Sequence, residues 1–372
     1  MKMKMGRLAA ASVVALAGAS FAAPASAQKI ENSYICVFQP GLVTKGNVKA
    51  EANRAAQAAG GQVKHEYSNT IRGFAVNASA QGVANMQARN PRIAYCEQDQ
   101  VMSVVQRRGK PGGGGGGTAP PETTPWGVAR VGGGELTASG RALVIDSGVD
   151  LDHPDLNVNA GLSVNFTRDK SADDLNGHGT HVAGTIAAIK GNGIGVVGVA
   201  PGTEVIGIKV LDRRGSGSTS GVIAGIEYAA DIAGPGDVAN MSLGGGFSQA
   251  LNDAVIAAAA TGLKFTLAAG NESTSATTKS PASANGPNIY TISSFAQGDT
   301  WSSFSNYGNP PVDYAEPGSA IPSTYKDGGY ATLSGTSMAA PHAAGILLLG
   351  AIDWDRTVAG DPDGNADRIG VR

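Results

Sequence analysis

From residue 141 onward the chain consists of short apolar runs, each closed by small or polar residues. "RALVIDSGV", "TEVIGIKVL", "VANMSL", "KFTLAAGN" and "NIYTISSF" are built on short apolar runs without strict alternation, the pattern of strands buried on both faces. Between them lie Ala-rich stretches of helical length, "HGTHVAGTIAAI", "STSGVIAGIEYAADIAG" and "SQALNDAVIAAAATG". Buried strands joined by crossover helices predict an α/β fold: a mostly parallel, twisted sheet with helices on both faces. In such sheets the chemistry collects at the carboxyl ends of the strands.

The pattern before residue 106 differs. "SYICVFQPG", "IRGFAVNAS" and "RIAYCEQDQVMSV" read as strands, "NVKAEANRAAQAAG" and "AQGVANMQARNP" as helices, together a small α+β unit. The joint is "QRRGKPGGGGGGTAPPETTP", whose six consecutive glycines cannot pack a core and predict a flexible, protease-accessible linker. At the start, Lys2, Lys4 and Arg7 precede an apolar stretch ending in Ala25-Ser26-Ala27, the make-up of a secretory signal peptide cut after Ala27. A membrane anchor is the rival, but the apolar run is short, broken by Gly and Ser, and followed by Pro24. The expected plan is a signal peptide over 1–27, the α+β unit over 28–106, a linker over 107–121 and the large domain over 122–372. No other segment is long and apolar enough to cross a bilayer, so a secreted, soluble, monomeric product without membrane contact is expected.

Charge sharpens this division. Residues 28–118 hold eleven Lys/Arg against five Asp/Glu, a net of +6, whereas residues 119–372 hold fourteen against twenty-five, a net of −11. Opposite charge favours association of the two parts, unless each surface is simply solvated with its own bias. A Gly-rich, Lys/Arg-poor chain argues against nucleic acid as a partner. Cys36 and Cys96 are the two cysteines; in an exported chain they form either a disulfide or two small buried thiols in neighbouring strands. The large domain has no cysteine, which excludes thiol catalysis there.

Four residue types could do chemistry. Asp146 closes the run "RALVID" and is half sheltered at a strand end. Ser337, in "LSGTSMAAPHAAGILLL", opens a small-residue helix, where backbone N–H groups can stabilise an anion; the same position also suits a plain cap. A hydroxyl becomes a nucleophile only beside a base, usually histidine. His65 lies in the α+β unit, His153 on a turn, and His342 sits about 140° round the helix from Ser337 at roughly 100° per residue. His178 and His181 in "NGHGTHVAG" remain, as a metal pair, a base beside a bystander, or two packed imidazoles. Zinc needs a third ligand, for which Asp173 or Asp174 would have to serve, and no His-Glu-x-x-His pattern is present. Asn271, at the end of "KFTLAAGN", could donate to an acyl oxygen or merely close a turn.

Taken in order, "VIDSGVD", "NGHGTHVAGT", "AAGN" and "SGTSMAAPHAAG" resemble the subtilisin-like serine proteases, most closely the branch around proteinase K, with "NMSLGGG" and "SSFSNYG" adding to the match. The resemblance covers roughly residues 125–345. It implies a triad of Asp146, His178 and Ser337 and an oxyanion hole formed by Asn271 and the Ser337 N–H, with His181 a packed helix residue. It also implies a specificity pocket walled by Ser242, Leu243, Gly244, Ala269 and Gly270. These are small or apolar and contain no acidic residue, which suits apolar or aromatic side chains before the cut. Gly215 to Gly217 would pair with an extended protein or peptide substrate.

Upstream, "YICVFQPG", "GFAV" and "NPRIAYCEQDQV" resemble the family's inhibitory propeptides, implying a ferredoxin-like α+β domain that docks on the catalytic domain as its own inhibitor and is removed near residues 105–121. A structural calcium is implied at Asp313 and the backbone oxygens of Pro287 and Ile289, although "NPP" adds a residue before Asp313. The run "DPDGNAD" reads rather as a solvated acidic turn. The segment after the serine helix is shorter than is usual in the family, which leaves its packing open. The expected function is a self-processing serine endopeptidase. Its rivals are a catalytically silent binding protein on the same fold, and a serine esterase, disfavoured by motif order and the missing Gly-x-Ser-x-Gly elbow.

Overall fold

The computed structural model describes residues 28–105 and 119–372; the segment expected to be a signal peptide and most of the expected linker lie outside the described residues. The first part runs β1 (Lys29–Phe38), α1 (Val48–Ala58), β2 (Gln62–Tyr67), β3 (Gly73–Asn77), α2 (Ala80–Arg89) and β4 (Ile93–Val104). Its strands pair antiparallel in the order β4-β1-β3-β2. Strand β2, "QVKHEY", has no apolar run to announce it: it is an edge strand with a register shift between Val63 and His65. Alternation divides the sheet between two cores. Phe38, Phe74, Val76, Val83 and Met86 pack under α1 and α2, whereas Ile35, Tyr67, Ala75 and Met102 join the core of the larger part. Cys36 and Cys96 are register partners on β1 and β4 and form a disulfide, which decides between the two readings.

The larger part begins with α3 (Trp126–Arg130), β5 (Ala142–Asp146), β6 (Val164–Asn165), α4 (His178–Ala187), β7 (Val205–Lys209), β8 (Ser216–Ser218) and α5 (Thr219–Ile232). There follow β9 (Val238–Met241), β10 (Leu243–Gly246), α6 (Gln249–Ala259), β11 (Lys264–Ala268), β12 (Lys279–Ser280), β13 (Ile289–Ala296) and β14 (Thr300–Trp301). The chain closes with β15 (Val312–Pro317), the hairpin β16 (Ile321–Tyr325) and β17 (Gly329–Leu333), α7 (Thr336–Leu349), β18 (Asp353–Thr357) and β19 (Arg368–Val371). The main sheet has the order β18-β19-β15-β13-β11-β9-β5-β7-β6. Its neighbours from β19 through β6 are parallel, as the short apolar runs predict.

Strand β5 has β7 on one side and β9 on the other, so chain progression reverses across it. A crevice opens at such a switch point, at the carboxyl ends of the strands, where Asp146 stands. Helix α7 is buried on nearly every side, as its uniformly apolar sequence requires.

One boundary differs from expectation, and the tail, whose packing the sequence left open, finds its place. The end of the linker is already seated on the large domain: Gly195 N donates to Pro120 O, and Pro121 bridges Ile194. The short tail extends the sheet, because β18 and β19 form a hairpin and β19 pairs in parallel with β15. Its acidic run is therefore not wholly solvated: Asp363 is exposed, but Asp367 is buried and accepts from Ser293 Oγ.

Candidate active site

Asp146 and His178 come together in the crevice. Asp146 Oδ1 accepts from its neighbour's amide, Ser147 N, at 2.7 Å and lies 2.8 Å from His178 Nδ1, and both side chains are fully buried. His178 Nε2 is buried without a hydrogen-bond partner. His181, one turn along α4, turns away to the carbonyl of Ile321 at 3.0 Å. Burial, with His178 beside it, pulls its pKa down to about 3, so it stays neutral. The two histidines do not share a ligand, and among the described residues no three His, Cys, Asp or Glu side chains gather as a metal set. His153 rests on Gly329 O and His342 on Met338 O.

Ser337 is the second residue of α7. Four residues on, Pro341 has no N–H, so the Ser337 carbonyl is left free of its usual helical partner. Ser242 Oγ takes that place, donating to Ser337 O at 2.8 Å and tying the end of β9 to the serine. The Ser337 hydroxyl lies 2.9 Å from Ser242 O and 2.5 Å from the carbonyl oxygen of Val105, the last described residue of the amino-terminal part. Asn271 Nδ2 donates to the same Val105 oxygen at 2.8 Å. Its amide is oriented from behind, because Oδ1 accepts from Thr336 N at 2.9 Å and Thr336 Oγ1 at 3.1 Å. Thr336 thus aims the donor, a role the sequence motif did not suggest.

Strand β4 reaches this point by insertion between β8 and β10. Met102 and Ser103 pair with Gly217 and Ser216, Val104 N donates to Gly215 O, and Ser103 and Val104 pair with Gly244 and Leu243. The Val105 side chain packs close to Gly244. Ala269 and Gly270 are joined to neighbouring loops, Ala269 O accepting from Asn306 Nδ2 and Gly270 N donating to Thr336 Oγ1. Outside the named walls, the Glu272 carboxylate lies beside Gly270, held by Asn306 Nδ2 at 2.7 Å and Lys279 at 3.6 Å. It is two residues beyond Gly270 and folds back, which the quoted wall motifs could not reveal.

The amino-terminal part grips two helices by their starts. Glu97 accepts from Ser248 Oγ, Gln249 N and Ala250 N at the opening of α6. Asp99 accepts from Ser220 N at 3.0 Å and Ser220 Oγ at 2.6 Å at the opening of α5. In return Glu227 of α5 accepts the N–H groups of Ser68, Asn69 and Thr70. Among the described residues no ion pair crosses between the parts, whose contact is made by these caps, the shared apolar core and the inserted strand β4.

The calcium candidates lie apart, at the start of β13 and β15. Asp313 occupies a bulge opposite Thr291 and accepts its N–H at 2.9 Å. Pro287 is exposed and Ile289 buried. With no basic side chain in an ion pair with it, Asp313 is pushed up to about 6 by burial.

A carboxylate-held imidazole, a helix-start hydroxyl and a carboxamide donor on the same carbonyl oxygen form a set suited to acyl transfer onto serine. Residues 143–354 match the model of the subtilase family, and the chain belongs to that family. It is 38% identical over 341 residues to alkaline serine exoprotease A of Vibrio alginolyticus, covering 86% of this chain and 60% of that relative's length. It is 38% identical over 353 residues to subtilisin-like protease 7 of Arthroderma gypseum, covering 87% and 82%. A solved cold adapted subtilisin-like serine proteinase superposes with a TM-score of 0.57 at 39% identity, covering 66% of this chain and 96% of that one. The chain is thus a subtilisin-like serine protease.

Proposed function

We propose that this protease is a secreted serine endopeptidase, made as a zymogen that cuts itself after Val105 and whose residues 28–105 are an inhibitory propeptide. One observation carries the reading: the Val105 carbonyl oxygen is 2.5 Å from Ser337 Oγ and 2.8 Å from Asn271 Nδ2. The propeptide's last strand occupies the path of a substrate between β8 and β10. Its carboxylates at the starts of α5 and α6 stabilise those helix ends and so couple docking to folding.

In this mechanism the Ser337 hydroxyl turns from the Val105 oxygen to His178 Nε2, which has no other partner. His178 takes the proton while Ser337 Oγ attacks the Val105 carbonyl carbon, and Asp146 orients and stabilises the imidazolium. The developing oxyanion is met by Asn271 Nδ2 and the Ser337 N–H. The bond to Gln106 then breaks, the leaving amine takes the proton from His178, and water releases the acyl group by the same steps in reverse. Substrates with an apolar residue before the cut fit the pocket that holds Val105.

A calcium ion would be held by Asp313 with the backbone oxygens of Pro287 and Ile289. Oxygen ligands suit calcium, and the Asp313 carboxylate is partly buried and has no ion pair among the described residues. Its contribution would be structural.

Expression of the full chain with Ser337→Ala tests the mechanism. The variant should remain uncut and inactive on casein, whereas the wild type should release a propeptide whose mass ends at Val105. Maturation and proteolysis by the variant would sink the mechanism.

A further inference from the structure

Helix α4, which carries His178, begins without a cap of its own: Gly177 precedes it with φ 103° and no side chain. The N–H groups of a first helical turn need acceptors, and here they come from outside the helix. Asp174 Oδ1 accepts from Asn176 N and Gly177 N, both at 2.9 Å, and Oδ2 from Thr180 N at 3.0 Å and Thr180 Oγ1 at 2.7 Å. Oδ1 also accepts from Ser147 Oγ at 3.0 Å, and that hydroxyl oxygen in turn accepts from Gly179 N at 2.9 Å. Ser147 directly follows Asp146 and donates its own N–H to Asp146 Oδ1. Asp174 is 3% exposed and forms no ion pair among the described residues.

We propose that Asp174 is a positioning residue, whose buried carboxylate locks the Asp146–Ser147 loop to the first turn of α4 and so sets the 2.8 Å contact between Asp146 and His178. The proposal rests on the assignment of His178 as the base. Five donors converge on two oxygens, and an anion alone accepts them all. An amide of the same shape has one acceptor oxygen and turns its NH₂ group toward N–H donors, so one side of the lock must open. Opening the Ser147 side lets the Asp146 loop drift from the imidazole. Opening the helix side lets His178 drift from the loop. The charge also suits a helix N-terminus, where an anion is favoured.

The test uses Asp174→Asn, Ser147→Ala and the double variant in the full chain, with kcat and KM on a chromogenic peptide and thermal melting of each mature protein. Misplacement of a reacting group by about 1 Å costs about 10²-fold in rate, so kcat of Asp174→Asn should fall by that order with KM changed by less than about twofold. Ser147→Ala removes only the link between loop and helix and should lower kcat about tenfold. Because both act through one contact, the double variant should fall no further than Asp174→Asn alone. If Asp174→Asn does not fold, Ser147→Ala alone decides. Wild-type kcat in a folded single variant, a loss confined to KM, or fully additive losses in the double variant would overturn the positioning role. His178→Ala runs in parallel: activity surviving there would remove the base assignment instead.

Discussion

If residues 28–105 are the proposed inhibitory propeptide, they should lose their grip on the large domain in acid through one imidazole. His65 lies on β2 with Tyr67 two residues on, so the two share the sheet face that meets α5. The rings stack at 6.4 Å between centroids, and the Tyr67 hydroxyl donates to Ser220 O in α5. Burial at this junction, helped by the Lys64 ammonium and opposed by Asp99, lowers the His65 pKa from 6.5 to about 4. Because the docked state depresses the pKa of a base, docking is strongest above pH 6.5 and weakens as pH falls from there toward 4, where the undocked imidazole takes a proton that the docked one refuses. With those two values, linkage weakens binding by a factor of about 20 between pH 7 and pH 5, or about 1.8 kcal/mol; a docked pKa one unit higher still leaves about tenfold. The assay is inhibition of the mature enzyme by the propeptide added in trans, at pH 7 and pH 5, for wild type and His65→Gln. Carboxylates at the junction, Glu97 among them, titrate in both proteins, so the difference isolates His65. Equal pH dependence in the two propeptides would refute the reasoning.

Glu316, fully buried on β15 with neither oxygen hydrogen-bonded, is held well above the usual carboxylate range by burial, which the Arg130 charge only partly offsets. Its native state keeps a proton that the unfolded chain gives up above about pH 4.5, so stability is lost as pH rises, at about 1.4 kcal/mol per unit, until the native group also ionises. In the inactive Ser337→Ala background, the melting-temperature gain from Glu316→Gln should therefore widen by about 5–10 °C between pH 5 and pH 7; a gap that is constant with pH would contradict this. If calcium sits at Asp313, a chelator should lower the melting temperature of the wild type and leave Asp313→Asn unchanged, and an equal drop in both would place the ion elsewhere.

Much of the fold was legible because a sheet buried on both faces draws on apolar residues without strict alternation, and β5, β7, β9, β11 and β13 are mostly apolar, their few polar residues lying within or at the ends of the runs. Strands whose partners are supplied by the fold left no such trace. β8 and β10 are short and Gly-rich, and β2 and the β18–β19 hairpin carry charge along exposed edges. They are strands because a neighbour lies within hydrogen-bonding distance, and that neighbour is far away in sequence.

The site divides in the same way. The sequence by itself determined which side chains could react, and that Asp146, Asn271 and Ser337 stand at element ends, since apolar periodicity stops there. Spacing could not separate His178 from His181, because three residues along a helix differ only in what each meets; the family resemblance alone favoured His178. Tertiary structure decided what each meets: the start of α4 abuts the end of β5, while one turn later the helix faces the Ile321 carbonyl. It likewise decided that Val105 ends in the cleft, and that Asp174, one aspartate among several in its loop, receives five hydrogen bonds. Hydrogen bonds between distant segments depend on where the sheet brings its ends together, and no local pattern encodes that position.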